Sequence, residues 1–322
     1  MEHLISPRGL IVDLITPFKS DWSIDGLGLE KLFDRLIPNA QAILLASPQI
    51  GEGKNLDASK RSDLLEKALV LIHGQIPILI WVSQDTEEKT KETILVLKKA
   101  IESQKYTGQV FWVDSPLYYH SNRGLPEYYQ NLCSIAGQPI ILHNDPELIK
   151  GLARSFKRRN VRTCILKELT YFDNIIGLIF SGPLDRAHNY QRACRRRANF
   201  RIYDGDETHF LDYPSMSGVV SVGANLAPSA WQRITQSSLR ITAEQKDYPD
   251  HLRQVFDLGK YLHELKDIYY KMPVAIIKEI LSDMGIIKTS ACTSPSKDVE
   301  ELKNKAKELM ARHNNDSIEY AE

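Results

Sequence analysis

The feature that most constrains the fold is the alternation of short apolar runs with longer amphipathic runs along the chain. Apolar runs of this length are typical of buried parallel strands, and the runs between them have the spacing of apolar residues expected of surface helices. No hairpin signal joins two neighbouring strands. Because the alternation repeats eight times, we predict an α/β fold, a (β/α)8 TIM barrel.

The eight predicted strands are the apolar runs at 9–16, 41–46, 76–82, 110–113, 139–142, 164–166, 200–203 and 218–222. The predicted helices between them cover 28–36, 58–73, 86–103, 125–136, 147–156, 173–180 and 184–196. After Pro228 the pattern changes to helices only, at about 239–265, 273–284 and 299–312. We therefore predict a barrel over residues 1–228 and a C-terminal helical extension, 229–322, packed on the barrel.

Composition limits the classes of function. With 322 residues, of which 43% are apolar, the chain can bury a large core. Lys+Arg and Asp+Glu both number 41, so the net charge favours neither nucleic acid nor an anionic membrane. The four cysteines are far apart, with no metal-binding spacing, and no signal or membrane-spanning run is visible. We expect a cytoplasmic protein with free thiols, no bound metal and no cofactor.

The run Cys164-Ile165-Leu166 is interpreted as strand six, which places Lys167 at its C-terminal end. In a TIM barrel the active site lies at the C-terminal ends of the strands. A lysine held against an apolar strand has its free amine favoured, because burial disfavours the ammonium form, and it can then attack a carbonyl group. The alternative is a strand-end lysine that points to water.

Other unusual residues collect at the same predicted strand ends. They are Thr16-Pro17-Phe18, Gly51-Glu52, Ser115-Pro116-Leu117-Tyr118-Tyr119, His143-Asn144-Asp145-Pro146, Gly205-Asp206 and Gly218-Val219-Val220-Ser221. In order and spacing, together with Lys271-Met272-Pro273 in the tail, this set resembles the dihydrodipicolinate synthase and N-acetylneuraminate lyase family of Schiff-base aldolases. The resemblance covers about residues 9–285.

The resemblance implies that Lys167 forms an imine with pyruvate or a related 2-keto acid, and that an acid-base group moves a proton to or from the neighbouring carbon. The family commonly has a tyrosine after strand five for this role, and His143 stands here. Histidine can transfer protons near neutral pH. The alternative is a histidine that fills space in a site that has lost its activity.

The resemblance also implies the residues that hold the substrate. In the second-strand loop, Gln49 and Ile50 stand where the family has a hydroxyl pair that relays protons, and Gly51 after them matches the family; all three are expected to bind substrate. Val220 in strand eight and Leu148, which stands where synthases carry a carboxylate-binding arginine, complete the expected pocket. Tyr118 and Tyr119 match an aromatic pair; one such tyrosine crosses a subunit interface in tetrameric relatives. We therefore expect Tyr119 to be catalytic, Tyr118 to bind substrate, and the chain to form a dimer or tetramer.

Two residues depart from the family. If Asp13 in strand one points into the barrel, it needs a partner, and Lys167 is the obvious candidate; the alternative is a hydrogen bond to local backbone. Trp81, at the end of strand three, would pack in the core, shrink the pocket or stack on a substrate.

Three functions remain open, and the sequence favours the first. The first is a Schiff-base lyase or aldolase acting on a 2-keto acid through Lys167 and His143. The second is a barrel that no longer turns over and binds a keto acid, a sugar acid or another chain as a binding or regulatory protein. The third keeps the imine and uses it for dehydration or decarboxylation.

Overall fold

The chain folds as a closed barrel of eight parallel strands in sequential order, as seen in a computed structural model that describes residues 6–152, 158–214, 216–239, 248–294 and 299–319. Each strand pairs with the next, and β8 pairs with β1. The strands are β1 (Gly9–Asp13), β2 (Ala42–Leu45), β3 (Ile78–Trp81), β4 (Val110–Asp114), β5 (Ile140–Asn144), β6 (Ile175–Phe180), β7 (Arg201–Asp204) and β8 (Gly218–Ser221). The predicted (β/α)8 barrel is confirmed.

Helices surround the barrel and extend beyond it. Along the described residues they are α1 (Gly26–Leu36), α2 (Ala58–Ile72), α3 (Glu87–Ser103), α4 (Pro116–Tyr119), α5 (Leu125–Ala136), α6 (Pro146–Lys150), α7 (Thr163–Leu169), α8 (Leu184–Cys194), α9 (Glu207–Asp212), α10 (Pro228–Leu239), α11 (Tyr248–Tyr269), α12 (Pro273–Asp283) and α13 (Val299–Glu319). Apolar stripes on the helices pack against the outward faces of the strands, and this layer is the larger part of the core.

A second apolar cluster fills the inside of the barrel. It consists of inward-facing strand residues, Ile11, Ala42, Leu44, Leu79, Trp81, Phe111, Val113, Ile141, Ile176, Ile179, Tyr203 and Val220. Large side chains in alternate layers make such an interior a packed core rather than a pore. The open space is therefore restricted to the C-terminal ends of the strands.

The sequence-based assignment of strand six was wrong. Cys164, Ile165 and Leu166 lie in helix α7, and residues 173–180, predicted as a helix, contain strand β6. In α7 the buried residues Leu166 and Leu169 are three positions apart, which is helical spacing. Strand β6 reads Ile-Ile-Gly-Leu-Ile-Phe, and all six residues are buried. A continuous apolar run with β-branched residues is typical of a strand covered on both faces.

The C-terminal helices complete the barrel and cover part of its mouth. Helix α10 packs against β1 and β8 and takes the position of the eighth barrel helix. Helix α12 agrees closely with the predicted segment, and α13 begins at the predicted residue but extends to Glu319. The predicted helix at 239–265 corresponds to α11 from Tyr248 onward, shares only Leu239 with α10, and has residues 240–247 outside the described residues. Part of the predicted helix at 147–156 also lies outside them. The division at residue 228 stays a prediction.

A buried ion pair joins the second-strand loop to the C-terminal helices. Glu52 Oε2 forms an ion pair with Lys278 of α12, and Glu52 Oε1 accepts a hydrogen bond from the backbone N–H of Thr293 at 2.6 Å. The two charged side chains are almost completely enclosed. No helix among the described residues has the length and apolar character needed to span a membrane.

Candidate functional site

A cavity of about 240 Å³ opens at the C-terminal ends of the strands. Its walls come from β1, the loop after β2, β5, β6, the loop after β7, β8 and helix α11. The lining residues used below are Asp13, Gln49, Ile50, His143, Asp145, Ile179, Asp206, Glu207, Val220, Lys266, Tyr269 and Tyr270. This is the position at which TIM barrels carry their active sites.

The inward position near the end of β6 is held by Ile179. Its side chain lies in the cluster that fills the barrel, is only 2% exposed, and lines the cavity. The resemblance places the imine-forming lysine at the end of strand six. An isoleucine has no nucleophilic atom, so this wall of the cavity cannot form a covalent bond with a carbonyl group.

Lys167 is not in the cavity. It lies in the last turn of α7, a helix on the outside of the barrel, and its side chain is exposed. The strand-six assignment of Lys167 is therefore wrong, and so is the idea that it pairs with Asp13. A cation in the last turn of a helix is stabilised by the helix dipole, which gives Lys167 an ordinary surface role.

His143, at the end of β5, is oriented by a chain of hydrogen bonds from behind. The indole N–H of Trp81 donates to Ser115 Oγ at 2.9 Å, and Ser115 Oγ lies 2.9 Å from His143 Nδ1. Since the indole can only donate, the Ser115 hydroxyl proton is available to His143 Nδ1, which favours the tautomer with the proton on Nε2. Burial lowers the pKa of His143, and the charge of Asp145 opposes part of this lowering. The cavity therefore faces a neutral imidazole.

Asp13 does point into the barrel. Its Oδ1 atom is buried and makes no hydrogen bond to any residue that the structure describes. Burial raises the pKa of Asp13 to about 7; a hydrogen bond from Ser47 lowers it in part, and the charge of Glu207 raises it further. A carboxyl group in this environment is held partly protonated near neutral pH.

Glu207, at the start of α9, connects the barrel to the C-terminal helices. Its Oε1 accepts hydrogen bonds from Ser221 Oγ at 2.5 Å and from the Gly223 N–H at 2.7 Å, and its Oε2 accepts one from the Tyr269 hydroxyl at 2.6 Å. Burial raises the pKa of Glu207, and these hydrogen bonds lower it in part. Tyr269 on α11 thus holds that helix over the cavity, and Lys266 enters the lining from the same helix.

The loop after β2 is folded tightly around Gly51. The Gly51 N–H donates to Ser47 Oγ at 2.8 Å, and its carbonyl accepts from Thr16 Oγ1 at 2.7 Å. A Cβ at Gly51 would lie 2.4 Å from the Ser47 nitrogen, so only glycine fits. Gly51 consequently supports the loop and does not line the cavity, whereas Gln49 and Ile50 do.

The aromatic pair and Leu148 lie outside the cavity lining. Tyr119 donates to buried Asp114 at 2.7 Å, and burial followed by the charge of Asp114 raises its pKa well above the usual value, so it is a poor acid. Tyr118 packs edge-on against Trp81, with ring centroids 5.5 Å apart. Leu148 is buried in the outer core. The structure therefore brings together His143, Gln49, Ile50 and Val220 of the residues predicted for the site.

The C-terminal helices and Glu207 contribute to the site in a way that was not predicted from the sequence. Lys266 and Tyr269 reach the cavity from a helix more than 200 positions after β1, and no local pattern announces such a contact. The run at 175–180 was the available signal for Ile179, because its five apolar residues, interrupted only by Gly177, suit a buried strand. Among the described residues, no group of three or more His, Cys, Asp or Glu side chains is placed to hold a metal ion.

Comparison with known proteins agrees with this architecture. The model of the dihydrodipicolinate synthetase family matches residues 6–313. A 4-hydroxy-tetrahydrodipicolinate synthase of Psychromonas ingrahamii is 25% identical over 89% of this chain and 91% of its own length. One of Buchnera aphidicola is 28% identical over 72% of this chain and 75% of its own.

Solved structures give the same result for the fold. The dihydrodipicolinate synthase of Aquifex aeolicus superimposes with a TM-score of 0.76 at 21% identity, covering 95% of this chain and 98% of that one. A prophage protein of the same family from E. coli K12, solved in complex with pyruvate, gives 0.76 at 17% identity, covering 94% and 98%. With the family model matching nearly the whole chain, the protein belongs to the dihydrodipicolinate synthetase family.

Proposed function

We propose that this family member binds a small polar ligand reversibly in the mouth of its barrel, without forming an imine, as a binding or regulatory protein. The observation that carries the proposal is Ile179, which lines the cavity near the end of β6. The ligand would be held by polar contacts with Asp13, His143 and the loop after β2. A 2-keto acid is one candidate ligand, because the resemblance implies one and a family member from E. coli K12 was solved in complex with pyruvate.

Neither candidate lysine supports covalent chemistry. Lys167 is exposed on the outer helix α7. Lys266 does line the cavity, but its ammonium nitrogen lies 3.5 Å from Asp267 and 4.3 Å from the centre of the Tyr270 ring. Both partners lie near Lys266 in the chain, so its nitrogen is held beside α11 and not at the β6 position where the resemblance places the imine.

A second candidate is an enzyme that uses acid-base chemistry without an imine. It is favoured by one observation: His143 and Asp13 face the same cavity, and their surroundings move their pKa values in opposite directions. Such pairs commonly divide the roles of acid and base. This enzyme would exchange carbon-bound protons of its ligand with D₂O, which NMR detects, whereas a pure binding protein would not.

Borohydride reduction in the presence of pyruvate and other 2-keto acids tests the proposal. We expect the intact mass of the wild-type chain, and of Lys167→Ala, to stay unchanged. Ile179→Lys restores an amine at the cavity wall and is expected to gain one reduced adduct, while Ile179→Met, which has no amine, is the matched control. A wild-type adduct on Lys167, or on Lys266 by peptide mapping, would overturn the proposal.

Two further expectations remain predictions. They are the dimer or tetramer expected from the aromatic pair, and the cytoplasmic location. Sedimentation of the purified chain and imaging of a tagged copy would test them.

A further inference from the structure

The charged groups around the cavity are unbalanced. Four carboxyl groups line it, from Asp13, Asp145, Asp206 and Glu207, against one lysine, Lys266. The ammonium of Lys266 already contacts Asp267 and the Tyr270 ring. Within the described ranges, no lysine, arginine or histidine side chain forms an ion pair with Asp13. Because carboxyl groups outnumber cations around the cavity, the electrostatic potential inside it favours a positively charged ligand.

Three of the four carboxyl groups have a structural role. Glu207 accepts three hydrogen bonds, from Ser221, Gly223 and Tyr269. Asp145 and Asp206 cap the first turns of α6 and α9, each accepting two backbone N–H groups. Such capping contacts account for an acidic residue at a helix start.

Asp13 has no comparable role. Its Oδ1 is fully buried and finds no hydrogen-bond partner in the part of the chain that the structure describes, although the side chain lines the cavity. A buried polar atom without a partner costs free energy, so a native chain keeps one where it serves a purpose. The Ser47 hydroxyl, itself held by the Gly51 N–H, is the one group that favours the ionised form.

We propose that the ligand of this cavity carries a primary ammonium group, and that this group binds beside Asp13 with Glu207 close by. This inference rests on the proposed non-covalent function. An ammonium ion offers three donors and no acceptor, and its charge offsets that of the buried carboxylate. A carbonyl or carboxylate at the same place would present only acceptors, which suit Asp13 only in its protonated form.

In this proposal the amino group belongs to the ligand and not to the protein. The family resemblance implies a lysine of the protein and a carbonyl on the substrate; here the strand-six position is apolar, and the cation comes with the ligand. Lys266, on the α11 side of the cavity, is the partner for a ligand carboxylate, so a zwitterionic amino acid fits both ends. A divalent metal is a poorer fit, because the described residues hold no group of three or more metal-binding side chains.

A matched series of three-carbon acids tests this inference. L-alanine, L-lactate and pyruvate share a carboxylate and differ in an ammonium, a hydroxyl and a carbonyl group. Binding would be measured by calorimetry on the wild type, Asp13→Asn and, as the control, Asp21→Asn, which changes an exposed residue. We expect alanine to bind at least about tenfold more tightly than the other two, and Asp13→Asn to lose that advantage, as a charge-assisted hydrogen bond predicts. Asp21→Asn should match the wild type.

Several results would overturn the inference. They are pyruvate or lactate binding as tightly as alanine, no alanine binding, alanine binding unchanged in Asp13→Asn, or Mg²⁺ alone stabilising the protein as much as alanine does. The fold of Asp13→Asn is checked by its thermal unfolding. If the protein prefers pyruvate but forms no borohydride adduct, only the inference of an ammonium ligand is wrong. If the wild type forms an adduct, the proposed non-covalent function is wrong as well.

Discussion

Two carboxyl groups, those of Glu52 and Asp13, are buried close to the mouth of the barrel in opposite ways. Glu52 is enclosed with Lys278 and also accepts a backbone hydrogen bond from Thr293. Asp13 lines a cavity, and the described residues give it no cation. The first group is fully satisfied by the chain, while the second is satisfied only in part. We infer that Glu52 holds the second-strand loop to the C-terminal helices, whereas Asp13 binds a ligand.

The largest expected effect comes from breaking the satisfied pair. Lys278→Met leaves the carboxylate of Glu52 buried without its cation, and we expect a loss of about 3–5 kcal/mol in the free energy of unfolding. Urea denaturation measures it. The exposed pair of Lys305 with Glu301 supplies the control: Lys305→Met should cost less than ~1 kcal/mol.

The double variant Glu52→Gln with Lys278→Met removes both charges and should recover part of the stability. If Lys278→Met costs no more than Lys305→Met, the pair does not hold the second-strand loop to the C-terminal helices, and the comparison with Asp13 fails.

Asp13→Asn should have the opposite effect, and only above mildly acidic pH. The pKa of Asp13 is raised from 3.8 to about 7 in the folded chain, so the folded state keeps a proton that the unfolded state has lost between these values. Wild-type stability therefore falls as pH rises through this window. Asparagine does not titrate, and we expect the variant to be more stable by about 2–4 kcal/mol at pH 8.

At pH 4 the two proteins should have nearly equal free energies of unfolding, because both the folded and the unfolded wild type then carry much of the proton. Urea denaturation across this pH range measures the difference. A constant difference at all pH values, or a less stable variant at pH 8, would show that Asp13 has a cation partner.

The smallest expected effect concerns Ser115, which orients the neutral imidazole of His143 at the cavity. Ser115→Ala removes the acceptor of the buried Trp81 indole and the partner of His143 Nδ1. We expect a loss of about 1–2 kcal/mol in unfolding free energy and a mixed tautomer at His143, measured by nitrogen-15 NMR of the imidazole. Ser134→Ala, at an exposed site, is the control. An unchanged tautomer would mean that something other than Ser115 orients His143.

The barrel could be predicted from the sequence because seven strands have strong local patterns. The assignment of strand six was wrong for a physical reason. The three apolar residues at 164–166 resemble a short strand when they are read alone, but Leu166 and Leu169 lie on one buried face of a helix. The lysine that follows made the wrong assignment attractive. The run at 175–180 lies between polar Asp173-Asn174 and the turn residues Ser181-Gly182-Pro183, as a strand would. Its apolar residues do not alternate with polar ones, so periodicity alone does not separate a buried strand from a buried helix.

The site could be predicted in part. His143, Gln49, Ile50 and Val220 follow strands that were assigned correctly, and all four line the cavity. Lys266 and Tyr269 come from α11, whose docking over the mouth depends on the hydrogen bond between Tyr269 and Glu207. A long-range contact of this kind depends on tertiary packing and leaves no periodicity in the sequence.

Direct titration of Asp13 tests whether its carboxyl group is buried in the cavity without a cation beside it. Carbon-13 NMR of the side-chain carboxyl groups, assigned with Asp13→Asn, gives the pKa of this group in the folded chain without ligand. We expect a pKa of about 7, since burial without a cation opposes ionisation. A value near the usual 3.8 would contradict it, because a positive charge would then already lie beside Asp13, and the cavity would have no need of a cationic ligand.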